Sequence, residues 1–310
     1  MPKHRIAIIG LGKISQDQHV PVIGASDTFE LAAIVSTRGV RHGDVPVFKT
    51  PADLYRAMPE VGVVAVNTPP GVRHPIAREA LAAGKDVLLE KPPATTLSEL
   101  ADLEAFASEK RRVLFATWHS QFNPAVDDAR VLIAKTGLRS LHIEWREDVK
   151  KWHPGQDWVW EPGGFGVFDP GINALSILTY ILPGTAFVKS AELTYPKNRQ
   201  TPIAAKLILS DASGTALTAD FDWREKGDEK WHMNIALADG RSARLFKGGA
   251  VLSIDGKTVL EAPNEEYQRI YRRFAGLLAD RKSDVDGAPL RLVADAMLLG
   301  RRLTTDAFDW

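Results

Sequence analysis

The run Arg5-Ile-Ala-Ile-Ile-Gly10, closing on Gly10-Leu-Gly12, constrains this chain more than any other stretch. Four apolar residues on successive positions leave no wet face, so the strand has to be buried on both sides, as in a parallel sheet flanked by helices. The glycines behind it suit a tight turn into a helix whose first N–H groups can hold an anion. Similar short runs recur at 31–35, 61–67, 87–90 and 113–117, with helix-like segments such as 75–83 and 97–110 between them. Strands separated by helices imply parallel pairing through right-handed crossovers. The expectation is an α/β Rossmann domain, a doubly wound parallel sheet, over residues 1–122.

Past residue 123 the pattern changes. A helical segment at 124–135 leads into an alternating strand at 141–147, a Trp- and Gly-rich loop, and a helix beginning near Asp169. Strands follow at 203–210, 215–223, 231–238, 242–246 and 251–260, and the pairs Ser213-Gly214, Asp239-Gly240 and Asp255-Gly256 suit hairpin turns. Two helices, at 265–281 and 290–304, close the chain. This predicts an α+β substrate-binding domain over 123–310, built on a large, mostly antiparallel open sheet, with the closing helices free to pack back on the first domain. A length of 310 residues is enough for two such cores.

Several function classes fall away on charge and composition. The 39 Lys and Arg residues balance 39 Asp and Glu, and no basic run is long enough to track a phosphate backbone, so nucleic acid is not an expected partner. Cysteine is absent, which removes disulfides, thiolate metal sites and Cys nucleophiles. No apolar run approaches the ~20 residues of a membrane span, so no membrane partner is expected and a cytoplasmic setting is the default. His4, His19, His42, His74, His142 and His232 are scattered without a metal-binding spacing, and no metal site is predicted.

Gly10-Leu-Gly12-Lys-Ile-Ser15 has the strand before it and the helix after it that a dinucleotide fingerprint requires. Ser15 stands where a third Gly or Ala is usual, a mild departure at a helix-packing position. NAD sites usually place an acid at the end of the second strand for the ribose 2'-hydroxyl, whereas Ser36-Thr37-Arg38 offers none. Arg38 is either a contact for a 2'-phosphate or a solvated loop charge. NADP is therefore expected as the preferred cofactor, with NAD use allowed, and its contacts are assigned to Gly10, Gly12, Lys13, Ile14, Ser36, Thr37, Arg38, Thr68, Pro69, Glu90 and Lys91.

The apolar run Val87-Leu-Leu ends in Glu90-Lys91-Pro92-Pro93. Ligands of such sheets bind outside the carboxyl ends of the strands, so Lys91 is sent to where a nicotinamide should lie, and the prolines restrict its backbone. A Lys there can exchange a proton with a substrate oxygen. In Gly163-Gly-Phe-Gly-Val-Phe-Asp169-Pro-Gly-Ile-Asn173, the Asp-Pro pair predicts a helix start with Asp169 as its cap. Asn173, four residues on, falls on the same helical face and gives that cap a second possible purpose.

Together, Gly10-Leu-Gly12, Glu90-Lys91-Pro92 and Gly163-Gly164...Asp169-Pro-Gly171...Asn173 resemble the glucose-fructose oxidoreductase and inositol dehydrogenase (Gfo/Idh/MocA) family across essentially the whole chain. The resemblance implies NAD(P)-dependent chemistry at the carbinol centres of sugars, with the Lys of the EKP motif as the catalytic residue. Many relatives carry His where this chain has Asn173; a neutral amide is no general base, so proton transfer shifts to Lys91, assisted by Asp169. The DPGIN segment after a Trp-rich loop is similar to the sugar 1-dehydrogenases acting on D-galactose, L-arabinose and D-fucose. Their pattern implies roles for Lys91, His119, Glu147, Trp152, His153, Asp169 and Asn173. The family resemblance also allows a homodimer formed through the C-terminal sheet. Two other functions stay open on the same fold: a sensor that binds NADP and a sugar without turnover, and a reductase of a different carbonyl.

The chemistry of these positions can be read independently. Alternation along Leu141-His-Ile-Glu-Trp-Arg-Glu147 puts Glu147 on the face of Leu141, Ile143 and Trp145, so it is either a frayed end in water or a carboxylate that needs partners. Trp152 beside His153 makes a sugar-facing pair, since pyranoses offer apolar C–H faces to indoles, and Trp231 is a further wall candidate. Trp158 and Trp160 read as core.

Overall fold

The computed structural model describes residues 2–310, which fall into two compact units: residues 2–118 with Tyr267–Gly287, and His119–Glu266 with Ala288–Trp310. The chain thus divides after Trp118 rather than after residue 122, and one C-terminal segment belongs to the first unit.

In the first unit six strands are found among the described residues: β1 (His4–Ile9), β2 (Phe29–Val35), β3 (Val47–Phe48), β4 (Val63–Val66), β5 (Asp86–Leu89) and β6 (Leu114–Ala116). They pair in parallel in the order β3-β2-β1-β4-β5-β6, the doubly wound arrangement in which the direction of winding reverses between β1 and β4. Ile6, Ala7, Ile8, Val64, Ala65, Val87 and Leu88 are fully buried, as continuous apolar runs demand. Each of the Ile, Val and Leu side chains contributes roughly 1.5–3 kcal/mol. The helix Leu97–Lys110 begins with a capping box, Thr96 accepting from Glu99 N while the Glu99 carboxylate accepts from Thr96 N. The returning segment is bonded to the sheet: Asp284 N donates to Leu114 O, and Arg281 clamps the Asp86 carboxylate at 2.7 and 3.0 Å.

Nine described strands build the second unit: β7 (Leu138–Arg146), β8 (Ala186–Pro196), β9 (Ala204–Asp211), β10 (Ala216–Asp222), β11 (Lys230–Leu237), β12 (Ser242–Phe246), β13 (Val251–Ile254), β14 (Lys257–Glu261) and β15 (Gly300–Thr305). Their order is β14-β13-β12-β11-β7-β10-β9-β8-β15, antiparallel except at β10–β7 and β15–β8. The inward faces of β7 and β10 bury Leu141, Ile143 and Trp145 beside Leu217, Ala219 and Phe221, and the long helix Phe168–Ile181 is almost wholly buried.

Two elements correct the sequence expectation. The helix expected over 290–304 ends at Leu299, and Gly300–Thr305 is the edge strand β15. Gly300 allows the switch: a Cβ there would lie 2.6 Å from Ala296 O and from Leu193 of β8. Strand β8 itself was not anticipated, because a register shift between Val188 and Ser190 interrupts its alternation. No helix among the described residues is long and apolar enough to cross a membrane.

Candidate active site

Each unit gathers its own set of expected site residues. In the first, Gly10 lies just past β1 at φ +95°, and a Cβ there would press at 3.1 Å on Asn67 and Thr68 beyond β4. Gly12 faces open space, where an added Cβ meets nothing within 4 Å. The helix behind it, beginning at Lys13, contains a π turn over Ser15–His19, and Pro21 within it has no N–H to offer. Ser15, the departure from the fingerprint, donates to Gly10 O at 2.7 Å and accepts from Asn67 Nδ2 at 3.0 Å, so its hydroxyl braces the glycine turn against β4. Asn67 Oδ1 and Thr68 Oγ1 are buried without a hydrogen-bond partner among the described residues. An open backbone cradle at a helix start, edged by unsatisfied polar atoms, fits the pyrophosphate of a dinucleotide. Lys13 pairs with Asp17, Ile14 is 38% exposed, and Pro69 is exposed at the head of the next turn. Ser36 accepts from Val40 N at 3.1 Å, shaping a loop on which Thr37 and Arg38 are exposed.

Glu90 and Lys91 follow β5 with different surroundings. Lys91 is partly exposed, and its backbone N–H donates to Glu90 Oε2 at 2.9 Å. The Glu90 carboxylate turns into the fold: Oε1 accepts from Tyr267 Oη at 2.7 Å and lies 3.0 Å from His19 Nε2, whose Nδ1 is 2.8 Å from Tyr271 Oη. Burial beside Glu90 pushes the Tyr271 hydroxyl well above its ordinary range, keeping it a proton donor. His19, Tyr267 and Tyr271 were not singled out by sequence, since their meeting depends on the returning helix Glu266–Asp280.

In the second unit Glu147 is 5% exposed, so the reading of a frayed strand end in water is overturned. Its oxygens accept from two indoles, Trp223 Nε1 at 3.3 Å and Trp231 Nε1 at 3.0 Å. Beside it, His153 Nε2 lies 3.2 Å from Asp169 Oδ2, and the His153 ring is 5.4 Å from that of Trp223. Trp231 stacks on Trp145 and tilts against Trp152, completing an aromatic wall. Asp169 is not the helix cap expected from the Asp-Pro pair. The helix begins one residue earlier, at Phe168, the cap position is Val167 with no side-chain bond, and the carboxylate is turned to His153 instead. Asn173 shares the helix face and is partly exposed. Trp160 is core at 1% exposure, and half-buried Trp158 donates to Gln156 Oε1.

His119 sits in a neighbouring cluster of the same unit. Its Nδ1 is 3.2 Å from Glu266 Oε1, which also accepts from Asn123 Nδ2 at 2.6 Å, and Asn123 reaches Gly248 O at 2.7 Å. Glu266 and Trp223 were missed because a carboxylate at a helix start and a Trp at a strand end both read as ordinary structure.

Burial pushes the Glu147 carboxyl up to about 7, against the pull of its Trp and His neighbours. Unfolded, this group ionises above about 4.5. Between those values the folded chain keeps a proton that the unfolded chain has lost, so the contribution is fully present below pH 4.5 and fades as pH rises through 7. The change amounts to roughly 3 kcal/mol at 1.4 kcal/mol per unit. Urea unfolding at pH 5 and pH 8 should show the wild type losing stability across this window while Glu147→Gln loses far less. Parallel pH curves for the two proteins would refute the assignment.

Residues 4–117 match an oxidoreductase family with an NAD-binding Rossmann fold, designated GFO_IDH_MocA. Over 304 residues the chain is 45% identical to a galactose 1-dehydrogenase of Pseudomonas fluorescens, covering 98% of each chain. The crystal structure of a D-galactose-1-dehydrogenase from Rhizobium etli superposes with a TM-score of 0.95 at 48% identity, over 100% of this chain and 99% of that one. A 3-ketoreductase from Actinomadura kijaniata, solved with NADP, matches at a TM-score of 0.87 over 98% of this chain and 100% of that one, but at 20% identity it speaks for the fold alone.

Proposed function

The chain belongs to the Gfo/Idh/MocA oxidoreductase family, and from that premise we propose that it is an NAD(P)-dependent sugar 1-dehydrogenase. Its substrate is a cyclic aldose of the D-galactose, L-arabinose or D-fucose type, oxidised at C1 to the aldonolactone. The full-length likeness to galactose 1-dehydrogenases carries this reading, and the cluster of Glu147, His153 and Asp169 beside an indole wall supports it, because a pyranose needs both fixed polar partners and an apolar face.

A bound nicotinamide supplies the acceptor for the hydride leaving C1. Gly10 and Gly12 would hold the pyrophosphate of the dinucleotide, with Lys13, Ile14, Thr68 and Pro69 around the turn. Lys91 takes the proton of the C1 hydroxyl, so that the C1–O bond becomes a carbonyl as the hydride departs. Glu147 and the His153–Asp169 pair accept and donate to ring hydroxyls, Asn173 bridges two more, and His119, its Nδ1 facing Glu266, adds a further sugar contact. Glu90 holds the Lys91 turn from inside through the Lys91 N–H.

Absorbance at 340 nm with a panel of aldoses and both cofactors tests the function: no reduced cofactor from any aldose overturns it. NADP is the preferred cofactor, through Arg38. Losing a charged hydrogen bond costs about 1.5–3 kcal/mol, so Arg38→Ala should raise KM for NADP tenfold or more and leave KM for NAD within about twofold. Equal effects on the two would remove Arg38 from the site. A homodimer through the large sheet belongs to the same proposal, and light scattering at the 34.1 kDa of one chain would count against it.

A further inference from the structure

The helix Arg73–Ala82 begins with a residue that sequence reading passed over. Arg73 is 3% exposed, and both Nη atoms of its guanidinium donate to backbone carbonyls. Nη1 donates to Glu90 O at 2.5 Å and also to Pro92 O, the carbonyls of the residues on either side of Lys91. Nη2 donates to Thr68 O, in the loop after β4 against which Gly10 packs. One buried side chain thus fastens both neighbours of Lys91 to the loop that edges the glycine turn.

Burying a cation is costly, and carbonyl oxygens from three residues converge to offset that cost. A planar fork with several fixed donors can grip divergent carbonyls at once, whereas a Lys ammonium on a flexible stem cannot hold the same geometry. A displacement of about 1 Å in a reacting group can cost a hundredfold in rate, so fixing the backbone on both sides of Lys91 matters for chemistry as well as for folding.

We propose that Arg73 is the positioning residue of Lys91, setting its reach toward the reacting hydroxyl without touching substrate. The proposal rests on Lys91 being the proton acceptor. Three variants, Arg73→Ala, Arg73→Lys and Lys91→Ala, and the Arg73→Ala/Lys91→Ala double variant, are assayed with D-galactose and NADP after circular dichroism and thermal melting establish their folding. Arg73→Ala should lower kcat about 30- to 100-fold while KM for the sugar stays within threefold, and millimolar guanidinium should recover part of the rate. Arg73→Lys, which keeps the charge and loses the fork, should lower kcat about tenfold. If Arg73 acts through Lys91, the loss is not additive: on the Lys91→Ala background, removing Arg73 should change kcat less than threefold.

A full additional loss in the double variant, or a rise in sugar KM with kcat unchanged, would overturn the proposal. Should Arg73→Ala not fold, Arg73→Lys decides, since wild-type kcat in that variant leaves the fork without a role. Near-normal turnover in Lys91→Ala would instead overturn the reading of Lys91 itself, whatever the Arg73 variants do.

Discussion

Lys91→Ala lowers kcat for sugar oxidation by about a thousandfold or more, with circular dichroism and melting temperature unchanged. A positioned acid–base group contributes typically 10²- to 10⁴-fold, and the upper part of that range is expected for the group that takes the substrate proton itself. Asn173 is a neutral amide and takes no proton near pH 7. Asp169 is turned to His153, and Glu147 is held by two indole N–H groups. The fold should be indifferent, since Lys91 is partly exposed and the buried network beside it uses the Lys91 backbone N–H. Single-turnover measurements with saturating sugar isolate the chemical step. A kcat within tenfold of wild type would falsify the role of proton acceptor, whereas an intact kcat with a raised KM would make Lys91 a binding residue.

Gly164→Ala should destabilise the second unit by about 3 kcal/mol, at the upper end of what overpacking usually costs. The added methyl would sit 2.0 Å from Trp158 O and 2.6 Å from the carbonyl carbon of Val159. Those are backbone atoms, and they cannot swing aside. Val159 O accepts from Gly166 N at 3.0 Å and from Thr201 Oγ1 at 2.9 Å, so shifting it breaks two further bonds. The segment lies between His153 and Asp169, and its movement should raise KM for the sugar as well. A drop of roughly 6–12 °C in the melting temperature is expected for a unit of this size. Gly184→Ala, where an added Cβ meets nothing within 4 Å, serves as the control. A Gly164→Ala melt within 2 °C of wild type would show that the loop yields more easily than its packing implies.

How much of this was legible beforehand follows from how local each signal is. The parallel sheet was readable because strands buried on both faces declare themselves residue by residue, as β1 and β5 do. Glu147 was placed on the buried face by alternation alone, and the indoles that meet it come from β11 and the end of β10, which no local pattern pairs with it. Strand β15 was read as helix because Arg301 to Thr305 acquire their conformation from parallel pairing with β8, more than a hundred residues away in the chain. Asp169 carried a genuine cap signal, and a long-range partner, His153, took its carboxylate. Arg73 was invisible, since an Arg at a helix start gives no hint that it is buried. The family resemblance supplied the site residues where propensity could not.

The division of the first unit between residues 2–118 and Tyr267–Gly287 sets a timetable for synthesis. A chain leaving the ribosome can lay down β1 to β6 early, at roughly 5–20 residues per second. Glu90 and His19 then face the place of two tyrosines that have not yet been made, and Asp86 lacks Arg281. The sheet therefore waits, with a carboxylate and an imidazole unsealed, until almost the whole second unit has emerged. Completion of the nucleotide-binding half therefore follows synthesis of most of the second unit, so a chain truncated before Tyr267 is expected to be cleared by proteolysis rather than to persist as a free dinucleotide binder.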